Sequence, residues 1–463
     1  MNSSNLKCSK YRKSSKPTNL IDQLTSVNIP DLINNNDDEV TTNNFQTILN
    51  KAHSNSLEEK IEALQWIFDS FAQIANMFPI EFVLNLLTDY QSDSAEIQHL
   101  ASELIQLFCR SKKWTLYLIQ NGIIQILQNT FPREDTIKLC CKIVLSQEGR
   151  RNLITSHFLN AFNTLFTEDI TSNTIVSVAV FITNCLGSSF VFPEYYEELF
   201  SVMNNLLPFM DKIHPPEFVQ FISHAWNNFV WANGEFVKFF VRNDYIDIFI
   251  QYIQANLSQN QDLFNISSDT LDIIEGILLF DHNFIEYFMN HSILDVITMI
   301  FNNFTKEERS NHYSLISLLI SINEELAMYF ISQDFHKLVI EDGKFSVRQI
   351  SSRLTLAIDF LNNCESHKDI LLTLRDIGFY EFIVSNISIL GEKDFKYALN
   401  ALLTISRLPQ DDIYFAKLKD MSENSELMQW IEELRLSDSL EVESLAQILD
   451  QIIASANSNN NDL

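Results

Sequence analysis

One short phrase recurs along this chain and limits what it can fold into. Two apolar residues end an amphipathic stretch, a small or polar break follows, and two more apolar residues open the next stretch. The clearest copy is Leu118-Ile119-Gln120-Asn121-Gly122-Ile123-Ile124. Others are centred on Ser156-His157, Asn243-Asp244, His291-Ser292 and Ile377-Gly378, with a weaker copy at Asp342-Gly343. The breaks lie about 35 to 52 residues apart, apart from one double-length gap between His157 and Asp244. Each stretch carries apolar residues on more than one face, so it cannot bury them alone and must stack on its neighbours.

A period near ~42 with two or three helices per unit is the signature of armadillo or HEAT arrays. The fold expected is all-α, a right-handed superhelical solenoid of armadillo-type repeats. Only 8 Gly and 9 Pro stand in 463 residues, far too few turn-formers for a sheet protein of this size. About ten units are expected, starting near residues 57, 95, 135, 172, 215, 266, 307, 348, 392 and 423. Gly122, Gly343 and Gly378 suit a left-handed position at the break, and Asp244, His157 or Ser292 would adopt it at some steric cost.

The ends differ from this body. Residues 1–28 read as a disordered basic tail, with Lys7, Lys10, Arg12, Lys13 and Lys16 preceding any acid. Residues 29–455 are expected to form the array, and 456–463 a disordered polar tail. The whole chain has 32 basic and 60 acidic residues, a net charge of −28. Such a chain repels nucleic acid and anionic membrane and suits a basic partner. The N-terminus lacks the apolar core of a secretory signal, and no stretch has the length of a membrane span. Six scattered cysteines without a C-x-x-C pair fit a reducing compartment. The expectation is a soluble protein inside the cell.

Catalytic and cofactor motifs are missing: there is no phosphate-binding glycine loop, no H-E-x-x-H and no G-x-S-x-G. The reading is therefore of a non-enzyme with no cofactor and no metal. The local cluster that stands out is Ala225-Trp226-Asn227-Asn228-Phe229-Val230-Trp231-Ala232-Asn233-Gly234. Two indoles five residues apart diverge by roughly 140° on a helix, so one should be core. The other can face an inner surface, where an indole holds a lysine stem and attracts its charge. An Asn there can hydrogen-bond an extended peptide backbone.

At this point the chain resembles the importin-α (karyopherin-α) family of armadillo adapters over about residues 29–454. Asn28-Ile29-Pro30-Asp31-Leu32 is similar to the family's entry phrase, and Ser56-Leu57-Glu58-Glu59 through Gln65 to its first helix. Thr183-Asn184-Cys185-Leu186, Phe192-Pro193-Glu194 and Ala225-Trp226 through Asn233-Gly234 are similar to its central helix, linker and Trp helix. Tyr414 to Leu418, Met428 to Leu434 and Ser444-Leu445-Ala446 resemble its last repeat.

The resemblance implies import of proteins carrying basic nuclear-localisation signals, held in an acidic concave groove, by a protein of cytoplasm and nucleus. It implies peptide-binding roles for Trp226, Asn184 and Asn233. It also implies an importin-β-like receptor engaging Lys10, Arg12, Lys13 and Lys16. The family's Trp/Asn ladder is largely replaced: the equivalent pairs are Ser102/Gln106, Ile137/Cys141, Val180/Asn184, Trp226/Val230, Tyr313/Ser317 and Ala357/Leu361. A non-transport interaction scaffold with a degenerate groove is the competing expectation.

Overall fold

The computed structural model describes residues 38–167, 169–186, 193–210, 216–232, 237–238, 241, 245–256, 263–290, 293–341, 345–390, 394–406 and 420–459. The described residues form helices and no strands. The chain divides between Ala232 and Asn233 into two units, whereas the sequence reading treats 29–455 as a single array. The basic tail with Lys10, Arg12, Lys13 and Lys16, the site candidate Asn233, and the breaks at Asp244, Ser292 and Gly343 lie outside the described residues.

The N-terminal unit is built on helices α1 (Leu57–Ile74), α2 (Ala95–Phe108), α3 (Lys112–Gln120), α4 (Glu134–Ile143), α5 (Gln147–Thr155), α6 (Ser172–Leu186) and α7 (Pro216–Ala232). Helices α1, α2, α4, α6 and α7 form a ladder in which each packs on the next. Their first residues, 57, 95, 134, 172 and 216, fall within one residue of the expected unit starts. In the clearest repeat two shorter helices, α3 and Ile123–Thr130, lead into the rung α4. That three-helix unit is the armadillo pattern.

Buried Ile, Leu and Phe fill the space between rungs, as Val178, Phe181 and Ile182 of α6 show. Polar side chains tie the rungs together as well. Thr183 Oγ1 donates to the Phe221 carbonyl at 2.9 Å, joining α6 to α7.

The breaks obey simple backbone physics. Gly122 and Gly378 sit at φ +90° and +103°, conformations that cost glycine nothing. His157 takes the same left-handed region at φ 60° without that freedom, as its place in the phrase requires. Asp334, at φ 63°, marks a further break in Ile331-Ser332-Gln333-Asp334-Phe335, which the sequence reading did not single out.

The C-terminal unit repeats the plan. Helices α8 (Phe264–Phe280), α9 (Tyr313–Ile322), α10 (Val347–Asn363), α11 (Phe395–Ser406) and α12 (Leu440–Asn459) form a second ladder, each packed on the next. Ser346 starts α10 with a reciprocal cap: its hydroxyl accepts from the Gln349 amide while the Gln349 side chain accepts from the Ser346 amide. Each unit is thus an all-α helical-repeat solenoid.

Candidate binding surface on the ladder helices

A ladder helix packed on both neighbours and on the shorter helices of its repeat leaves one stripe open to solvent. In α8 that stripe is Ser268, Asp272, Glu275 and Leu279; in α10 it is Ser352, Thr355, Asp359 and Asn362. The spacings, i, i+4, i+7, i+11 on α8 and i, i+3, i+7, i+10 on α10, each follow one side of a helix. Between them α9 offers Ser314, Leu318 and Ser321, and α11 adds Tyr397, which is 56% exposed.

Two carboxylates of this surface are electrostatically set apart. Burial pushes the Glu275 carboxyl up to about 7; the Asp272 charge adds to that, while the Ser314 hydrogen bond and His312 pull the other way. Burial likewise pushes Asp359 up to about 6, opposed by the Ser317 hydrogen bond and reinforced by Asp394. The Ser317 hydroxyl donates to Asp359 and links α9 to α10. Asn362 Nδ2 donates to the Tyr397 carbonyl at 3.2 Å, linking α10 to α11. A cationic side chain arriving here would stabilise the ionised carboxylates, and the rung next to Asp359 offers an exposed aromatic side chain, Tyr397.

The buried His312 ring bridges two rungs in a Ser–His–Asp order. Its Nε2 is 3.0 Å from Ser268 Oγ and its Nδ1 is 3.3 Å from Asp272 Oδ1. Acyl-transfer chemistry also needs donors for an oxyanion. The amides around Ser268 are spent within α8, and the neighbouring charges on Asp272 and Glu275 are those of carboxylates. The arrangement binds α9 to α8 and does not supply that stabilisation.

The N-terminal ladder presents a different stripe: His99, Glu103, Gln106 and Arg110 along and just after α2, and Lys138, Lys142 and Leu145 along and just after α4. On α7 it runs through Gln220, His224, Asn228 and Trp231, all half-buried.

The structure corrects the sequence-based site. Trp226 is 1% exposed and packs edge-on against Phe200 and Phe229, with ring centroids 5.7 and 5.8 Å away. It is the core member of the indole pair, and Trp231 is the one on the open side, so the two roles are exchanged. Asn184 is 7% exposed, and its amide donates to the Cys141 carbonyl at 3.3 Å. That amide holds α6 to α4 and is turned away from any peptide. Ser102, Ile137, Cys141, Val230, Tyr313, Ser317, Ala357 and Leu361 are buried too. Gln106 and Val180 are half-buried, and the other positions of the register taken from the family pattern fall on the packed side of these helices.

Asp272, Glu275, Asp359 and Tyr397 were not among the sequence candidates. Their signal was present as acidic or aromatic residues at helical spacing within strongly apolar runs. The correct face was not readable without knowing which side meets the neighbours.

Among the described residues no group of His, Cys, Asp and Glu is arranged to hold a metal ion. No single described helix is long and apolar enough to cross a membrane. Cys109, Cys140, Cys141, Cys185 and Cys364 are unbridged and buried. Burial pushes the Cys109, Cys141 and Cys364 thiols up to about 12, so they are not poised as nucleophiles.

No protein-family model matches the chain, and no curated protein does. Solved structures do. The chain is similar to the crystal structure of an engineered protein, with a TM-score of 0.61 and 12% identity, over 89% of this chain and 98% of that one. A designed armadillo repeat protein in complex with the peptide (KR)4 matches with a TM-score of 0.41 and 16% identity, over 50% of this chain and 99% of that one. At 12% identity the first of these is a likeness of fold alone.

Proposed function

We propose that this protein is a repeat scaffold that holds a Lys/Arg-rich segment of a partner protein along the ladder of its C-terminal unit. The observation that carries the reading is the set Asp272, Glu275 and Asp359 on α8 and α10, with the exposed Tyr397 on α11. Repeat stacks offer extended surfaces rather than deep pockets, which suits an extended peptide. The net charge of −28 favours a basic partner at longer range.

The finer form of this reading is an importin-α-like adapter that carries nuclear-localisation-signal cargo between cytoplasm and nucleus. Its basic tail would engage an importin-β-like receptor. Support for that form is the order of family-like pieces along the sequence. The burial of Trp226 and Asn184 favours the broader reading, a scaffold whose grip does not use the family's Trp/Asn ladder.

The test is calorimetry of the full chain with a lysine-rich nuclear signal peptide and its charge-neutral variant at two salt concentrations. The scaffold reading expects salt-sensitive binding of the basic peptide alone, weakened about tenfold by Asp272→Asn with Asp359→Asn. Equal binding of both peptides, or none, overturns it. The adapter form further expects that removing residues 1–21 abolishes capture of an importin-β-like receptor and raises affinity for the basic peptide. If the truncated and full chains behave alike, the tail has neither role.

A further inference from the structure

The charge of this protein is unevenly spread. Between residues 110 and 151 stand eight basic residues and three acids, in a chain with 32 and 60 overall. This short stretch holds a quarter of the cations and one twentieth of the anions. The fold draws part of it into a single patch. Arg110 follows the end of α2, Lys112 and Lys113 open α3, and Lys142 lies in the last turn of α4, the rung packed on α2.

Ion pairing separates these residues from other cations nearby. Arg133 is committed to Asp135 at 2.7 Å, and Lys138 to Glu134 at 2.9 Å. Among the described residues Arg110, Lys112, Lys113 and Lys142 make no ion pair, although Lys113 Nζ lies 5.5 Å from the Trp114 ring centroid. Lys142 is half-buried, and burial presses its pKa down; the Arg110 charge adds to that, while Cys141 and, more weakly, Cys109 and Glu103 act the other way. Helix α3 adds to the field, since its first turn holds no acid and the Ser111 hydroxyl makes no capping bond.

We propose that Arg110, Lys112, Lys113 and Lys142 form a docking site for a short acidic segment of a partner protein. An incoming carboxylate would relieve the mutual repulsion of Arg110 and Lys142, and the bidentate fork of Arg110 suits it. A short segment fits better than a long polyanion. Screening confines the attraction to within about 8–10 Å of the patch. A nucleic acid extending past it would meet the acidic remainder of the chain. This site is distinct from the carboxylate surface of the C-terminal unit and takes the opposite charge.

The experiment is fluorescence polarisation of the full chain with a labelled ten-residue Glu/Asp-rich peptide, using the exposed pair Arg110→Gln with Lys112→Gln and, separately, Lys142→Gln. Thermal melts check that each variant is folded. Wild-type binding that weakens with salt, and falls about tenfold in a folded variant, supports the site. In the same variants, affinity for the lysine-rich peptide should not fall, which separates this site from the carboxylate surface. No binding of the acidic peptide, or equal binding by wild type and both variants, overturns the proposal. Displacement of the acidic peptide by single-stranded DNA at lower concentration than by unlabelled peptide also overturns it, and assigns the patch to nucleic acid.

Discussion

The Asn184 side-chain amide reaches across to the backbone carbonyl of Cys141, 3.3 Å away, and ties rung α6 to rung α4. A residue that the family resemblance assigns to peptide recognition is here spent on internal stacking. Asn184→Ala would strand a buried carbonyl without replacing its donor, at about 1–2 kcal/mol. The expected outcome in denaturant unfolding is a lower midpoint, with calorimetry showing unchanged affinity for a basic peptide. A loss of peptide affinity at constant stability would return Asn184 to the binding surface.

The two tryptophans of α7 should respond in opposite ways. Trp226 is enclosed by Phe200 and Phe229, so Trp226→Ala removes a large buried side chain and should cost about 3–5 kcal/mol. Trp231 is half-buried on the open side, and Trp231→Ala should cost clearly less. Thermal melts of both variants decide it. A milder effect at Trp226 than at Trp231 would mean that the assignment of core and surface is inverted.

These two residues also show why the fold was legible and the site was not. The break phrase is local: a left-handed residue between apolar pairs is written in six or seven positions, and it located His157 although that residue is not glycine. The start of each N-terminal rung follows from the period. Which side of a rung faces solvent depends instead on two neighbouring rungs distant in sequence. A face that is almost wholly apolar, as in Ser172–Leu186, leaves no polar stripe from which to read it. The family register filled that gap and selected the packed side. Asp334 was missed for a different reason. Its phrase, Ile331-Ser332-Gln333-Asp334-Phe335, carries no glycine, and an acid stands at the left-handed position.

Gly149 tests the packing of the shorter helices. A β-carbon built there would stand 2.0 Å from the Ile143 carbonyl oxygen and 2.7 Å from Ser146 Oγ. Ser146 caps α5 by accepting from the Gly149 amide at 2.9 Å, so the added methyl group collides with the cap itself. Gly149→Ala should therefore destabilise by about 2 kcal/mol or more, despite the better helix propensity of alanine. The readout is the midpoint of chemical unfolding. An unchanged midpoint would show that α5 can move off α4 without loss.

The raised carboxylates make stability and binding run in opposite directions with pH. Glu275 titrates near 7 when folded against 4.5 in the unfolded chain, and Asp359 near 6 against 3.8. Between each pair of values the folded state binds more protons than the unfolded one, so stability falls as pH rises through that window. Glu275→Gln should remove part of this slope and stabilise the protein above pH 7, by roughly 1–2 kcal/mol after allowance for partial exposure. A cationic segment needs the same groups ionised, so affinity for a basic peptide should fall as pH drops from about 8 to 6 while the protein itself becomes harder to unfold. Parallel melts and peptide titrations across that range measure both trends. Peptide affinity that rises on acidification would detach Glu275 and Asp359 from the binding surface, because protonation removes the charge that attracts the ligand.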